Sequence, residues 1–419
     1  MTALRVLFLL AGAILGVFYP FVPVILSERG FDAAGVGLVT ALSSLGFTLA
    51  VPVWGHVADV ELGRARTLQL TVAGSTVAVL CLLLPIPALV VGALIVVYAV
   101  FESALSPLAD ALAVNALAAS PRSYGRVRLL SSLGFAVASI SAGRLYDTTG
   151  FGPASLLWAA CAVVIVGVAF GVPDVGRLSL GRAPAMAARS SRRRRPGGGS
   201  FALALRVQPR LRAILLGLGL IHVGIIAGFT FLALRLLQLG GQPSDVALSS
   251  GISAIAEIPG MALAPRAVGR FGLRNVLAGA ILLYVACLVS WAFLAVPALI
   301  IATRVASGIA FAGITISAVM TIGQLLPARL QGTGQALYQT VGFGVSAIAA
   351  NALGGVVFAL EGARPLFLGV AALGVVGAVV AWASAPARGE VVPLPPLPDE
   401  ERADEEASAG LEAASTPRR

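Results

Sequence analysis

Four charged side chains, Glu102, Asp110, Glu257 and Arg304, stand within long apolar runs, and one histidine, His222, stands in another. A charged group withdrawn from water must meet an opposite charge, line a wet cavity or change its protonation state. Glu102 and Glu257 are therefore candidates to carry a proton or contact a solute. The plainer alternative is that each is kept neutral, or tied to an arginine as structure. Arg304 can pair with Glu257 and be released when the acid takes up a proton, or grip a solute carboxylate by two parallel hydrogen bonds. A static salt bridge is its third reading. His222 titrates near neutrality if wetted, although a lone histidine on an apolar helix is more often packed and hydrogen-bonded.

Glu102 and Asp110 belong to one stretch, ESALSPLADALAVNALAASPRSYGRVR, in which Tyr124, Arg126 and Arg128 follow a short loop. Asp110 and Arg128 fall near the ends of successive runs, where opposite charges can form a gate that opens, or a brace that does not. Asn115, Gln324, Gln339 and Asn351 are further polar residues in apolar surroundings; such side chains more often bond helix to helix than line a cavity.

The elements that must hold these groups follow from composition. The chain is 58% apolar and 11% charged, whereas soluble domains carry about 25% charged residues, so an ordinary soluble fold is excluded. About 20 consecutive apolar residues cross a bilayer as a helix, and lipid tolerates only helices or closed barrels. The runs here are too long and too evenly apolar for barrel strands. Twelve fit, near 4–26, 35–58, 67–85, 88–114, 125–146, 152–172, 211–235, 245–266, 275–294, 298–321, 332–358 and 364–383. The fold class is all-α integral membrane, and the first run reads as a retained helix because no small-residue cleavage site follows it.

All 29 basic residues are arginines. With the N-terminus inside, 24 of them fall on the inner side, including those of the central SRRRRPGGGS segment. The positive-inside rule then places both termini in the cytoplasm. Between two membrane spans the arginine run suits anionic lipid at the inner face, not nucleic acid. The expected organisation is a six-helix half over 1–172, an Arg-rich linker over 173–210, a second half over 211–385 and a disordered tail over 386–419. The halves echo one another: GFAVASI at 134–140 returns as GFGVSAI at 342–348. Two six-span halves in the same orientation form a parallel repeat, with a solute site between them near mid-membrane.

The loop after the second span reads GHVADVELGRAR over 55–66, and the loop after the eighth reads PRAVGRFGLR over 265–274. Both resemble the Gly-x-x-x-Asp-Arg-x-Gly-Arg-Arg signature of the major facilitator superfamily. The first copy has one residue too many between Asp59 and Gly63, with Val60 in place of arginine. The second has Gly269 in place of the acid but keeps Arg270, Gly272 and Arg274. The resemblance implies the twelve-helix major facilitator fold and a gating role for Asp59, and more weakly for Arg64 and Arg66; Arg126, Arg270 and Arg274 join the inner-side gate candidates. The PLAD segment at 107–110 with YGRVR at 124–128, AEIP at 256–259 and GTGQALY at 332–338 resemble the branch of phenylpropionate permeases and, more distantly, nucleoside and lactose proton symporters.

The expected function is secondary transport by alternating access, with proton-coupled symport of a small organic solute preferred. The partners expected are that solute, protons and lipid, with a monomeric carrier. Rival readings are a drug or metabolite antiporter, which an acid in the first span would favour, and a non-transporting membrane sensor or assembly protein. A channel is weakened by the repeat. No phosphate-binding loop, CxxC, HExxH or Ser-His-Asp set occurs, so neither an enzyme nor a cofactor or metal site is expected, and Cys81, Cys161 and Cys287 read as small hydrophobes.

Overall fold

The computed structural model describes residues 2–116, 121–171 and 198–393, and among them every regular element is a helix. The first six-helix half contains α1 (Thr2–Glu28), α2 (Ala33–Glu61), α3 (Arg64–Cys81), α4 (Ala88–Val114), α5 (Pro121–Thr149) and α6 (Gly152–Phe170). The second contains α7 (Pro209–Gln238), α8 (Pro243–Phe271), α9 (Leu273–Phe293), α10 (Pro297–Leu325), α11 (Ala328–Glu361) and α12 (Ala363–Ser384). Eleven of the described helices are long and apolar enough to cross a membrane. The twelfth, α3, falls short because Arg64, Arg66 and Gln69 occupy its first turns. It is nonetheless enclosed by α4 and α6.

The repeat is visible in the packing. Helix α1 packs on α5 and α6 as α7 packs on α11 and α12, and α2 packs on α4 as α8 packs on α10. Helix α3 lies on α6 as α9 lies on α12. The two signature loops turn on matching glycines 209 residues apart, Gly63 at φ +84° and Gly272 at φ +83°. That is a region open to glycine and strained for side chains. The extra residue of the first loop is absorbed by a π-helical turn over Val57–Glu61, whereas α8 remains α-helical to Phe271. A π turn accommodates one inserted residue without shifting the helix face beyond it.

Two seams join the halves, α2 with α11 and α5 with α8. At each, glycine removes the side chain that would hold the helices apart. A Cβ on Gly37 would lie 2.4 Å from the Asn351 carbonyl oxygen, and one on Gly143 would lie 2.3 Å from the Ala247 Cβ. The Ser244 N–H also donates to Asp147 Oδ1 across the α5–α8 seam at 2.8 Å. These contacts lie at the helix ends remote from the linker, so the halves meet closely on that face.

Helix α4 is interrupted at Ser103–Ala104. Pro107 lacks the N–H that would bond the Ser103 carbonyl, and its ring crowds that carbonyl. The break leaves Glu102 as the last residue of the first segment, Ala88–Glu102. The SRRRRPGGGS arginines and residues 394–419 lie outside the described residues. The start of the tail is docked: Glu390 pairs with Arg210 at the base of α7 and accepts from the Ala387 N–H at 2.8 Å.

Candidate functional site

Two cavities lie between the halves. Cavity A, about 280 Å³, is walled by α1, α2, α4, α7 and α11. Cavity B, about 260 Å³, is walled by α1, α5, α7, α8 and α10. Leu15 and Phe229 belong to both walls.

Glu102 is the one charged residue on the wall of cavity A. It makes no hydrogen bond or ion pair with any described residue. One turn earlier, Tyr98 is 3% exposed and its hydroxyl has no partner. Across the cavity, α2 presents Thr40, Ser43, Ser44 and Phe47 on one face. The hydroxyl hydrogens of these residues are already committed to their own helix: Thr40 donates to the Val36 carbonyl, Ser43 to Val39 and Ser44 to Thr40, each at 2.8 Å. Thr230 of α7 likewise donates to Asn351 Oδ1 at 2.8 Å, and Asn351 Nδ2 donates to Ser44 Oγ at 3.3 Å. A hydroxyl that has given its hydrogen can only accept. The polar wall of cavity A is therefore rich in acceptors and poor in donors, and Tyr19, Phe47, Phe229 and Phe343 complete it with aromatic faces.

Cavity B differs in kind. Glu257 and Arg304 share it, yet no oxygen of one lies within 4 Å of a nitrogen of the other. The Arg304 guanidinium instead donates to the Ser249 carbonyl oxygen at 3.3 Å and to Ser307 Oγ at 3.0 Å, 5.3 Å above the Trp291 ring. Ser131, Ser132, Ser250 and Ser253 also line this cavity, and none of their hydroxyls bonds a described residue. Donors and acceptors are both open here.

His222 is fully buried, on the wall of neither cavity. Its Nδ1 lies 2.7 Å from the Leu218 carbonyl oxygen, its Nε2 lies 3.3 Å from the Tyr338 hydroxyl, and its ring stands edge-on to Phe343. Phe343 lies in a π-helical turn of α11 and faces cavity A, so His222 backs the wall of that cavity through Phe343.

At the linker face, Asp110 and Arg128 pair at 2.6 Å and Asp59 pairs with Arg64 at 3.2 Å. Both pairs stay within the first half. Arg66 is exposed on α3. In the second half, Arg274 lies 3.5 Å over the Trp382 ring, Arg270 lies 5.3 Å over Phe271, and the Arg270 carbonyl accepts from Arg388 at 3.2 Å. The side chains of Asn115, Tyr124 and Arg126 lie outside the described residues. Of the other polar residues weighed from sequence, Asn351 is on the wall of cavity A, Gln324 lies by the docked tail and Gln339 is exposed.

No grouping of three or more His, Cys, Asp or Glu side chains that could hold a metal occurs among the described residues. Two repeated halves with cavities between them are the architecture of a carrier. The family comparison agrees: the MFS_1 like family matches residues 1–369, so the chain belongs to that family of major facilitator transporters, which are not enzymes. It is 28% identical over 350 residues to a maltose permease of Geobacillus stearothermophilus, covering 81% of this chain and 83% of that one. An uncharacterized transporter, YwbF, of Bacillus subtilis (strain 168) is 24% identical over 79% of each chain. Among solved structures, a mutant of the nucleoside transporter NupG superposes with a TM-score of 0.75 at 16% identity, over 91% of this chain and 99% of that one. A D-xylose-proton symporter gives 0.65 at 13%, over 93% and 98%.

Proposed function

We propose that this transporter is a proton-coupled symporter of a small, neutral, hydroxyl-rich solute, and that cavity A holds the solute. The observation that carries this reading is Glu102, an unpartnered acid on a cavity wall that has no cation. An anionic solute would meet a like charge and a wall of acceptors there. A neutral solute that brings its own O–H donors satisfies that wall, and its C–H faces suit the aromatic rings. Protonation of Glu102 removes the uncompensated charge and lets the loaded carrier reorient; Glu257 beside Arg304 is the second proton candidate. The names of a maltose permease and a D-xylose-proton symporter among the similar proteins support the solute class.

The arginine distribution supports a cell-membrane protein whose linker face lies in the cytoplasm against anionic lipid, working as a monomer. The seams then close the outer face and the cycle must part them. Closure of the inner face draws on Asp59, Arg64, Arg66, Asp110, Arg126, Arg128, Arg270 and Arg274, whose pairs would be exchanged across the halves.

Uptake of radiolabelled glucose and maltose into proteoliposomes tests the coupling. An inward proton gradient should drive accumulation in the parent protein. Glu102→Gln should abolish accumulation while retaining exchange of internal for external solute. Accumulation that persists in both Glu102→Gln and Glu257→Gln would remove proton coupling through these acids.

A further inference from the structure

The two cavities are images of one another under the repeat. Exchanging α1 with α7, α2 with α8, α4 with α10 and α5 with α11 converts the wall of cavity A into the wall of cavity B. The match extends to residues. On α2 the wall residues are Thr40, Ser43, Ser44 and Phe47; 210 positions later, α8 places Ser250, Ser253, Ala254 and Glu257 on the wall of cavity B. Between the cavities stands an aromatic pair, Tyr19 of α1 and Phe229 of α7, with centroids 4.9 Å apart. These two are themselves repeat equivalents, 210 positions apart. The pair therefore marks the pseudo-twofold axis, and one cavity lies to each side of it.

Each cavity alone is smaller than the range of about 300–1,000 Å³ usual for small-molecule sites, and the two together fall within it. We propose that they are two subsites of one solute site, and that the cargo is a neutral molecule of two hydroxylated rings, of disaccharide size, straddling the Tyr19–Phe229 pair. This rests on the hydroxylated-solute reading above and goes beyond it in fixing length. Cavity A receives the ring whose hydroxyls donate to Thr40, Ser43 and Asn351. Cavity B receives the second ring, whose hydroxyls meet groups of both polarities: the four open serines, the Glu257 carboxylate and the unspent N–H groups of Arg304. The opposite formal charges of Glu257 and Arg304 cancel within cavity B, so a neutral ring leaves neither in excess.

Binding of glucose, maltose, maltotriose and adenosine to the purified full chain, by competition and thermal shift, tests the length. Maltose should bind about tenfold more tightly than glucose, the worth of one or two added hydrogen bonds, and maltotriose should bind no better than maltose. The double substitution S250A/S253A should collapse the ratio of maltose to glucose affinity toward one, and Ser253→Thr should restore part of it. Equal affinity for glucose and maltose, or a ratio unmoved by S250A/S253A, overturns the two-subsite site while the hydroxylated-solute reading stands. Preference for adenosine over maltose puts an aromatic base in place of one sugar ring and overturns the two-sugar cargo. Failure of every saccharide and nucleoside to bind overturns both readings.

Discussion

Cavities A and B come from equivalent helices, yet their chemistry has diverged. In A the hydroxyls of α2 are committed to backbone carbonyls and the acid stands alone. In B the hydroxyls are open and the acid has a base for company, though not for contact. A parallel repeat supplies two similar pockets at once; what differs is which hydrogen bonds each helix satisfies internally. A wall whose donors are spent selects cargo by the cargo's own donors, whereas an open wall binds groups of either polarity. The lesson is that symmetric architecture does not impose symmetric recognition.

The largest expected effect probes whether Glu257 and Arg304 are separate in energy as well as in space. Arg304→Met removes charge-assisted donors from the Ser249 carbonyl and Ser307, bonds worth about 1.5–3 kcal/mol each to a buried charged donor. The melting temperature of the detergent-solubilised protein should fall clearly. Glu257→Gln removes no contact and should leave melting almost unchanged. A double-mutant cycle should give a coupling below about 0.5 kcal/mol. If Glu257→Gln destabilises as much as Arg304→Met, the two form a bridge, and cavity B is a closed structural pair rather than an open wall.

The next effect has the opposite sign. The Tyr98 hydroxyl is buried without a partner, an arrangement that costs about 1–3 kcal/mol in desolvation. Tyr98→Phe should therefore raise the melting temperature with little change in solute affinity, because the hydroxyl is buried beneath the wall of cavity A and out of reach of the solute. A loss of affinity would mean that the hydroxyl turns into the cavity when solute binds. A fall in melting temperature would mean that the hydroxyl is satisfied after all.

Much of this was legible in the sequence, for a physical reason. Lipid demands long apolar helices, so the spans and the two halves stand out, and an ion in such a run is conspicuous. Glu102, Glu257 and Arg304 were found that way, and all three reach the cavities. What the sequence could not separate was neighbourhood from contact: Glu257 and Arg304 look like partners on paper, but Arg304 is engaged by Ser249 and Ser307. The wall of cavity A was also hidden, because Thr230 and Asn351 look the same whether they bond helix to helix or face a solute, and here they do both. One signal was available: Thr40, Ser43, Ser44 and Phe47 repeat at helical spacing on a single face of α2, and their counterparts recur on α8.

The same divergence of equivalents appears at the linker face, where the smallest effect is expected. The first signature loop holds its arginine with its own acid, Asp59 to Arg64. The second has Gly269 in that place, and the tail docks beside it: Glu390 pairs with Arg210 of α7 while Arg388 bonds the Arg270 carbonyl. The Ala387 N–H and then the Arg210 guanidinium hold the Glu390 carboxyl below its ordinary value of 4.5. A group whose folded value is lowered contributes above its unfolded value and loses that contribution as pH falls through the folded one. The docked tail should thus be unaffected from neutral pH down to about 4.5 and loosen only below it. A spin label at Val391→Cys should be restricted at pH 7 and grow mobile under stronger acid. In Glu390→Gln the label should already be mobile at pH 7, with little change in solute uptake. A label equally restricted in both proteins at pH 7 would show that Arg388 anchors the tail by itself, without the Glu390–Arg210 pair.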